Sequence, residues 1–142
     1  MTLKNTSGGS FVKMGTYSDA VAIIFEPRRV ERDVEGRFGK RDILHADLTV
    51  FDKDAIRGGK PLVVKGALIT EKAFINAYED EIGEQMIAKL MLKPNTNGGK
   101  DYWVPRGVDQ AIFEKAEAYL EQRDAAFKAA MESDGPDWVE ED

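Results

Sequence analysis

The side chains able to do chemistry in this chain are cations and aromatic rings. Arg28, Arg29, Arg32, Arg37, Lys40 and Arg41 crowd one short stretch, and Phe38 sits among them in the segment EGRFGK, between Gly36 and Gly39. Lys100 closes a second glycine-bearing segment, KPNTNGGK, and Tyr102, Trp103 and Arg106 follow it; Lys65, Lys89 and Lys93 fall on outward positions of alternating segments. Cations neutralise phosphates, and exposed aromatic faces stack bases at about 1–3 kcal/mol per base. Together these types suit a negatively charged, ring-bearing ligand such as a single-stranded nucleic acid. An ordinary solvated surface is the alternative: Glu31, Asp33 and Glu35 are near enough to pair with the arginines. Phe51 and Tyr102 are read as core in preference to ligand platforms. Side chains alternate along a strand, so Tyr102 and Trp103 cannot both face one ligand, and Trp103 is taken as the outward platform.

Catalytic constellations are poor. There is no cysteine, and the single histidine, His45, lies on a predicted strand, which excludes thiol chemistry, disulfides and His-rich metal sites. Asp42, Asp47, Asp52 and Asp54, or Glu79, Asp80, Glu81 and Glu84, could gather at a cation, but the second group straddles a predicted helix end and reads as a solvated acidic face. Arg57-Gly58-Gly59-Lys60-Pro61 lacks the first glycine and the Ser/Thr of a phosphate loop. No catalytic residue, metal or cofactor is expected.

The elements that must position these groups follow from periodicity. The run AVAIIFEP from Ala20 reads as a buried strand; Pro27 removes a backbone donor, predicting one long strand bent or bulged there and continuing through Val34. From Arg41 to Phe51 the pattern alternates, with Leu44, Ala46, Leu48 and Val50 on the core face. A polar connection, DKDAIRGGKP, leads to a strand over 62–68. Thr70 is placed as the cap of a helix over 71–82 ended by Gly83, and Gln85 to Lys93 alternates again, although a helix there is also compatible. Asp101 to Val104 makes a short aromatic strand. Asp109 caps a long helix over 110–131 with an apolar stripe of Ile112, Phe113, Ala116, Leu120, Phe127 and Met131.

Composition sets the outer bounds. The 142 residues, 42% of them hydrophobic, make one domain with polar ends: a flexible arm over 1–10, a folded body over 11–107, the helix over 108–131 and a disordered tail over 132–142. The formal charge is -6, yet six acidic and no basic residues lie from Glu132 to Asp142, and residues 1–65 hold 12 basic against 9 acidic side chains. No run suits a membrane span, and MTLKNTSGGS lacks the apolar block of a secretory leader, so a cytoplasmic protein is expected.

Strand, strand, strand, helix, strand, strand is the order of a five-stranded OB-fold barrel with its helix between strands 3 and 4. In that fold the loops joining strands 1 to 2 and 4 to 5 flank the oligonucleotide groove. Here those loops are EGRFGK and KPNTNGGK, predicted to be neighbouring lips of one cleft.

The segments AVAIIFEPRRVERDVEGRFGKRDILHADLTVFD and KDYWVPRGVDQAIFEKAEAYL, with an acidic tail holding Trp138, resemble the single-stranded DNA-binding proteins of tailed phages, especially those of actinobacterial hosts. The resemblance spans most of residues 19–142 and implies an OB fold that coats single-stranded DNA in replication or recombination, in the host cytoplasm. It further implies that the tail, through Asp137, Trp138, Glu140, Glu141 and Asp142, recruits partner enzymes. Relatives usually end on an aromatic, whereas here Val139-Glu140-Glu141-Asp142 follow Trp138. From charge alone, the tail would compete with DNA for a basic groove. The alternative is a non-catalytic protein-interaction module, a phage structural or host-inhibiting factor, using the long helix as its interface, where the apolar stripe could equally pair two copies of the chain.

Overall fold

Two runs of alternating or continuous apolar residues pair into the long hairpin on which the rest of the sheet is laid. The computed structural model describes residues 10–36 and 39–140, with side chains to residue 132. Its strands are β1 (Ser10–Phe11), β2 (Ala22–Gly36), β3 (Gly39–Phe51), β4 (Leu62–Ile69), β5 (Met86–Lys93) and β6 (Tyr102–Arg106). Its α-helices are α1 (Lys53–Ile56), α2 (Lys72–Tyr78) and α3 (Gln110–Glu140), and a 3-10 turn covers Met14–Tyr17. The chain divides after Val108 into two compact units, the sheet with α1 and α2, and α3 by itself.

The predicted barrel is not formed. The six strands make an open mixed sheet in the order β1-β4-β3-β2-β5-β6. Closure would require β6 to hydrogen-bond along β4. Instead β1 lies parallel on that edge of β4, Ser10 against Ala67 and Phe11 against Leu68, and the Val12 N–H extends the contact to the Leu68 carbonyl at 3.1 Å. β1 thus takes up the Ala67–Leu68 part of that edge, and β6 stays at the opposite edge of the sheet, bonded to β5. The segment expected to be a flexible arm therefore supplies the start of a sheet strand at Ser10, while residues 1–9 lie outside the described residues.

Within the sheet the bend at Pro27 is present as a register shift between Pro27 and Arg29, and a second shift falls between Glu31 and Val34. At the second, Asp33 adopts a left-handed backbone (φ 54°), and its N–H is held at 3.0 Å by Asp42 Oδ1. Aspartate is among the few residues that tolerate this conformation.

The core is built on one face. Ile23 and Phe25 of β2, Leu44, Ala46, Leu48 and Val50 of β3, Ala67 and Ile69 of β4 and Ala88 of β5 meet Phe74, Ile75 and Tyr78 of α2 and Met14 of the 3-10 turn. Phe25 is the centre of an aromatic trio, 4.8 Å from the Tyr78 ring and 5.7 Å from Phe74. Burial pushes the Tyr78 phenol well above its ordinary range. The predicted core face of β3 is correct, but its other face is buried too, at Ile43, Asp47, Thr49 and Phe51.

Helix boundaries differ from the periodicity in ways the caps explain. Asp52, placed in a polar connection by sequence, caps the single turn of α1, its Oδ1 accepting the Ala55 N–H at 2.8 Å. Helix α2 begins one residue beyond Glu71, whose carboxylate instead accepts the Met14 N–H at 2.8 Å, so Thr70 is not its cap. It ends at Tyr78, where Glu79, Asp80 and Glu81 oppose the helix dipole; Gly83 (φ 89°) then turns the chain and donates its N–H to the Pro27 carbonyl at 3.0 Å. Asp109 caps α3 as expected, its Oδ1 accepting the Ile112 N–H at 2.9 Å. The helical backbone of α3 continues past the expected end at Met131 to Glu140, so the backbone over 132–140 is helical where disorder was expected. Phe127 and Met131 on this helix are 67% and 61% exposed.

Candidate nucleic-acid interface

Antiparallel pairing decides which of the predicted ligand groups stand together. β5 runs against β2 with Phe25 opposite Met86 and Ile23 opposite Ala88. Following β5 towards Lys93 therefore means moving back past Ala22, away from the Gly36–Gly39 end of β2. The two glycine-bearing turns leave the sheet from opposite ends of β2 and are not two lips of one cleft, which corrects the expectation built on the barrel.

Three of the six cations around the first hairpin, Arg28, Arg29 and Arg32, are paired with acids. Arg28 donates to Asp47 Oδ2 from Nη2 at 2.6 Å and from Nε at 3.1 Å, with Lys65 Nζ 3.8 Å from the same oxygen. Arg32 bridges Asp42 (2.9 Å) and Glu79 (2.8 Å), and Arg29 lies 3.4 Å from Glu31. Glu31 also hydrogen-bonds His45 Nε2, which makes the histidine part of the same network. Among the described residues, only Arg29 takes a partner, Glu31, from the acids that the sequence offered; Arg28, Arg32 and Lys65 lie against Asp47, Asp42 and Glu79. Arg41 lays its guanidinium 4.9 Å from the centre of the Phe11 ring. Lys40 is exposed; Arg37 and Phe38 lie outside the described residues.

The second hairpin is different. Cross-strand partners share a face, and in β5–β6 those partners are Lys89 with Arg106, Met91 with Val104 and Lys93 with Tyr102. Same-face positions recur about every 6.6 Å along a strand, so this face is a short track of cation, apolar and cation-plus-ring positions. Lys89, Lys93 and Arg106 are exposed and carry no ion pair among the described residues, and Tyr102 is 41% exposed. Beyond the track, the loop over 94–101 is organised by Asn95, whose Oδ1 accepts the Asn97 N–H at 2.9 Å, and it presents an exposed Lys100.

Trp103 is not the outward platform. It pairs with Leu92 and is half-buried against the core, its indole so near the 3-10 turn that a Cβ at Gly15 would stand 3.0 Å from Nε1. Tyr102 takes the outward position, and Met91 is the apolar member that residue typing alone passed over. Alternation identified the pair as opposites; only the partner strand shows which side is which.

Among the described residues no group of three or more histidine or acidic side chains is placed to hold a metal ion, and no helix is long and apolar enough to cross a membrane. Of the tail, the side chains of Asp137, Trp138 and Glu140 and all of Glu141 and Asp142 lie outside what the structure describes.

No family model, no curated protein and no solved structure matches this chain. With an open sheet and no relative in support, the resemblance to phage single-stranded DNA-binding proteins does not stand, nor does the OB-fold assignment on which the groove geometry rested.

Proposed function

We propose that the protein is a cytoplasmic, non-catalytic binder of single-stranded nucleic acid with little sequence preference, engaging it through the outward face of the β5–β6 hairpin. One observation carries the reading: Lys89, Lys93 and Arg106 share that face with Tyr102 and make no ion pair among the described residues. Phosphates would meet the three cations, and an unpaired base would stack on the tyrosine, which requires a strand whose bases are not already stacked in a duplex. The contacts read charge and ring faces and give no base-edge code, hence the tolerance of sequence.

Fluorescence anisotropy of labelled oligothymidylate across a salt series tests this. For single strands the slope of log affinity against log salt is about -0.7 per neutralised phosphate, so replacing Lys89, Lys93 and Arg106 together by alanine should flatten it by about 2. Tyr102→Ala should cost about 1–3 kcal/mol while leaving the slope unchanged. Arg29→Ala, already beside Glu31, should move neither quantity much. Absence of binding at low salt, or a triple variant that binds like the parent, would overturn the proposal. Repeating the series with and without magnesium separates binding from metal-dependent cleavage of the oligonucleotide.

A further inference from the structure

At the other end of the hairpin from that track, groups from three parts of the chain converge on a second site. A cleft of about 360 Å³ is lined by Lys40, Arg41 and Asp42 of β3, Thr70 of the β4–α2 connection, and Lys72 and Asn76 of α2, with the buried Ile75 among its walls. Its size lies within the range of small-ligand pockets.

The charge of this cleft is decided by what Asp42 is already doing. Its Oδ1 accepts the Asp33 N–H at 3.0 Å and its Oδ2 accepts Arg32 Nη1 at 2.9 Å. The Asp33 N–H, then the Arg32 guanidinium, with Lys72 adding a smaller pull, hold the carboxyl below the usual aspartate range, so it remains an anion committed to Arg32. Arg32 in turn spends its other end on Glu79 at 2.8 Å. Glu71 is turned to the Met14 N–H, and Glu35, across the register from Lys40, makes no ion pair with it. The lining therefore sets the three cations Lys40, Arg41 and Lys72 against the single carboxylate of Asp42, an excess of two positive charges. Arg41 is steadied by the Phe11 ring under its guanidinium, and a stacked guanidinium keeps its in-plane N–H groups for an anion. Thr70 and Asn76 add neutral hydrogen-bond donors.

We infer that this cleft binds a phosphate dianion: Lys40, Arg41 and Lys72 supply the charge and Thr70 and Asn76 the neutral donors. Cationic donors with a forked guanidinium and uncharged donors beside them are what a terminal phosphate or pyrophosphate requires. Such a group has two sources, the 5′-phosphate of a nucleic-acid strand and a free phosphorylated small molecule. The cleft stands apart from the β5–β6 face, and its assignment does not depend on the strand-binding proposal.

Isothermal titration calorimetry of the full-length protein with sodium pyrophosphate at low ionic strength provides the test. Saturable binding is expected, weakened at least about tenfold by Lys40→Gln with Lys72→Gln, and unchanged by Lys89→Gln with Lys93→Gln, which alters the other face. All four lysines are exposed, so the variants should fold, as circular dichroism would verify. A second arm compares 5′-phosphorylated with 5′-hydroxyl oligothymidylate. Preference for the phosphorylated strand, lost in the Lys40/Lys72 variant, supports the site with a strand end as its ligand; equal binding alongside retained pyrophosphate affinity supports it with a small molecule as its ligand. No saturable heat with pyrophosphate, or heat that the Lys40/Lys72 variant leaves unaltered, overturns it.

Discussion

Replacing Phe25 by alanine should destabilise the sheet unit by about 3–5 kcal/mol, the range found for large aromatic deletions in well-packed cores. The ring is fully buried and touches two other rings, so the loss combines its transfer free energy with the contacts left without a partner. The cavity has little means of collapsing. Phe25 sits on β2 with Leu48 of β3 on one side and Met86 of β5 on the other, both held by backbone pairing, and α2 covers it from above. Urea unfolding should show a lower midpoint with an unchanged slope, because the surface exposed on unfolding is nearly the same. Phe127→Ala supplies the contrast: that ring is 67% exposed on α3, and its removal should change stability by no more than about 0.5 kcal/mol. If the two variants were equally destabilised, Phe25 would not be the centre of the core.

Asp47 carries the next largest effect, and it depends on pH. Ala46 pairs with Ala67 and Leu48 with Val64, so Lys65 and Gly66 of β4 stand opposite the single residue Asp47 in a bulge. Its carboxylate fills that irregularity, Oδ1 accepting the Gly66 N–H at 2.9 Å and Oδ2 accepting Arg28. Gly66 itself has φ 65°, a conformation that suits glycine. Burial alone would raise the Asp47 carboxyl, but the Gly66 N–H, the Arg28 guanidinium and the Lys65 ammonium outweigh it and hold the group below the usual aspartate range. A carboxylate with a lowered folded-state pKa adds stability that is fully present above its unfolded value, near about 4, and is lost as pH falls through the folded value. Asp47→Ala strands the Gly66 N–H and one side of Arg28, at a cost of about 1–3 kcal/mol at neutral pH. The difference between Asp47→Asn and the parent should shrink as urea midpoints are taken from about pH 7 towards about pH 3. A gap that stayed constant over that range would mean the charge of Asp47 contributes nothing.

Much of the strand content was legible in the residues. The alternation of Leu44, Ala46, Leu48 and Val50 located a core face, and Pro27 located a register shift, because both signals act within a few residues of themselves. Pairing was not legible. Nothing local to Arg28 points to Asp47, and nothing near Arg32 points to Glu79, 47 residues away, yet those contacts remove both arginines from the set of available cations. Trp103 and Tyr102 show the same limit at the level of one strand, since parity makes them opposites but β5 and the core decide that the tryptophan goes inward. The cleft around Lys72 escaped notice because its members come from three separate stretches with no common motif.

Taken by itself, the sequence determined where the chain extends, where it turns and how its charge is divided, since side-chain direction in a strand reverses at every residue and glycine, proline and capping residues act on their own neighbours. It marked β2 with β3 and β5 with β6 as neighbours joined by turns, but not how β1, β4 and these two hairpins lie beside one another. That was decided by the order β1-β4-β3-β2-β5-β6, which leaves β6 and β4 apart and the sheet open, and by β5 running against β2, which sends the two basic turns to opposite ends. Hydrogen bonding between strands is a backbone property shared by nearly every residue, so only the packed structure, with its edges satisfied and its ion pairs formed, selects the partners and thereby the cations left to meet a ligand.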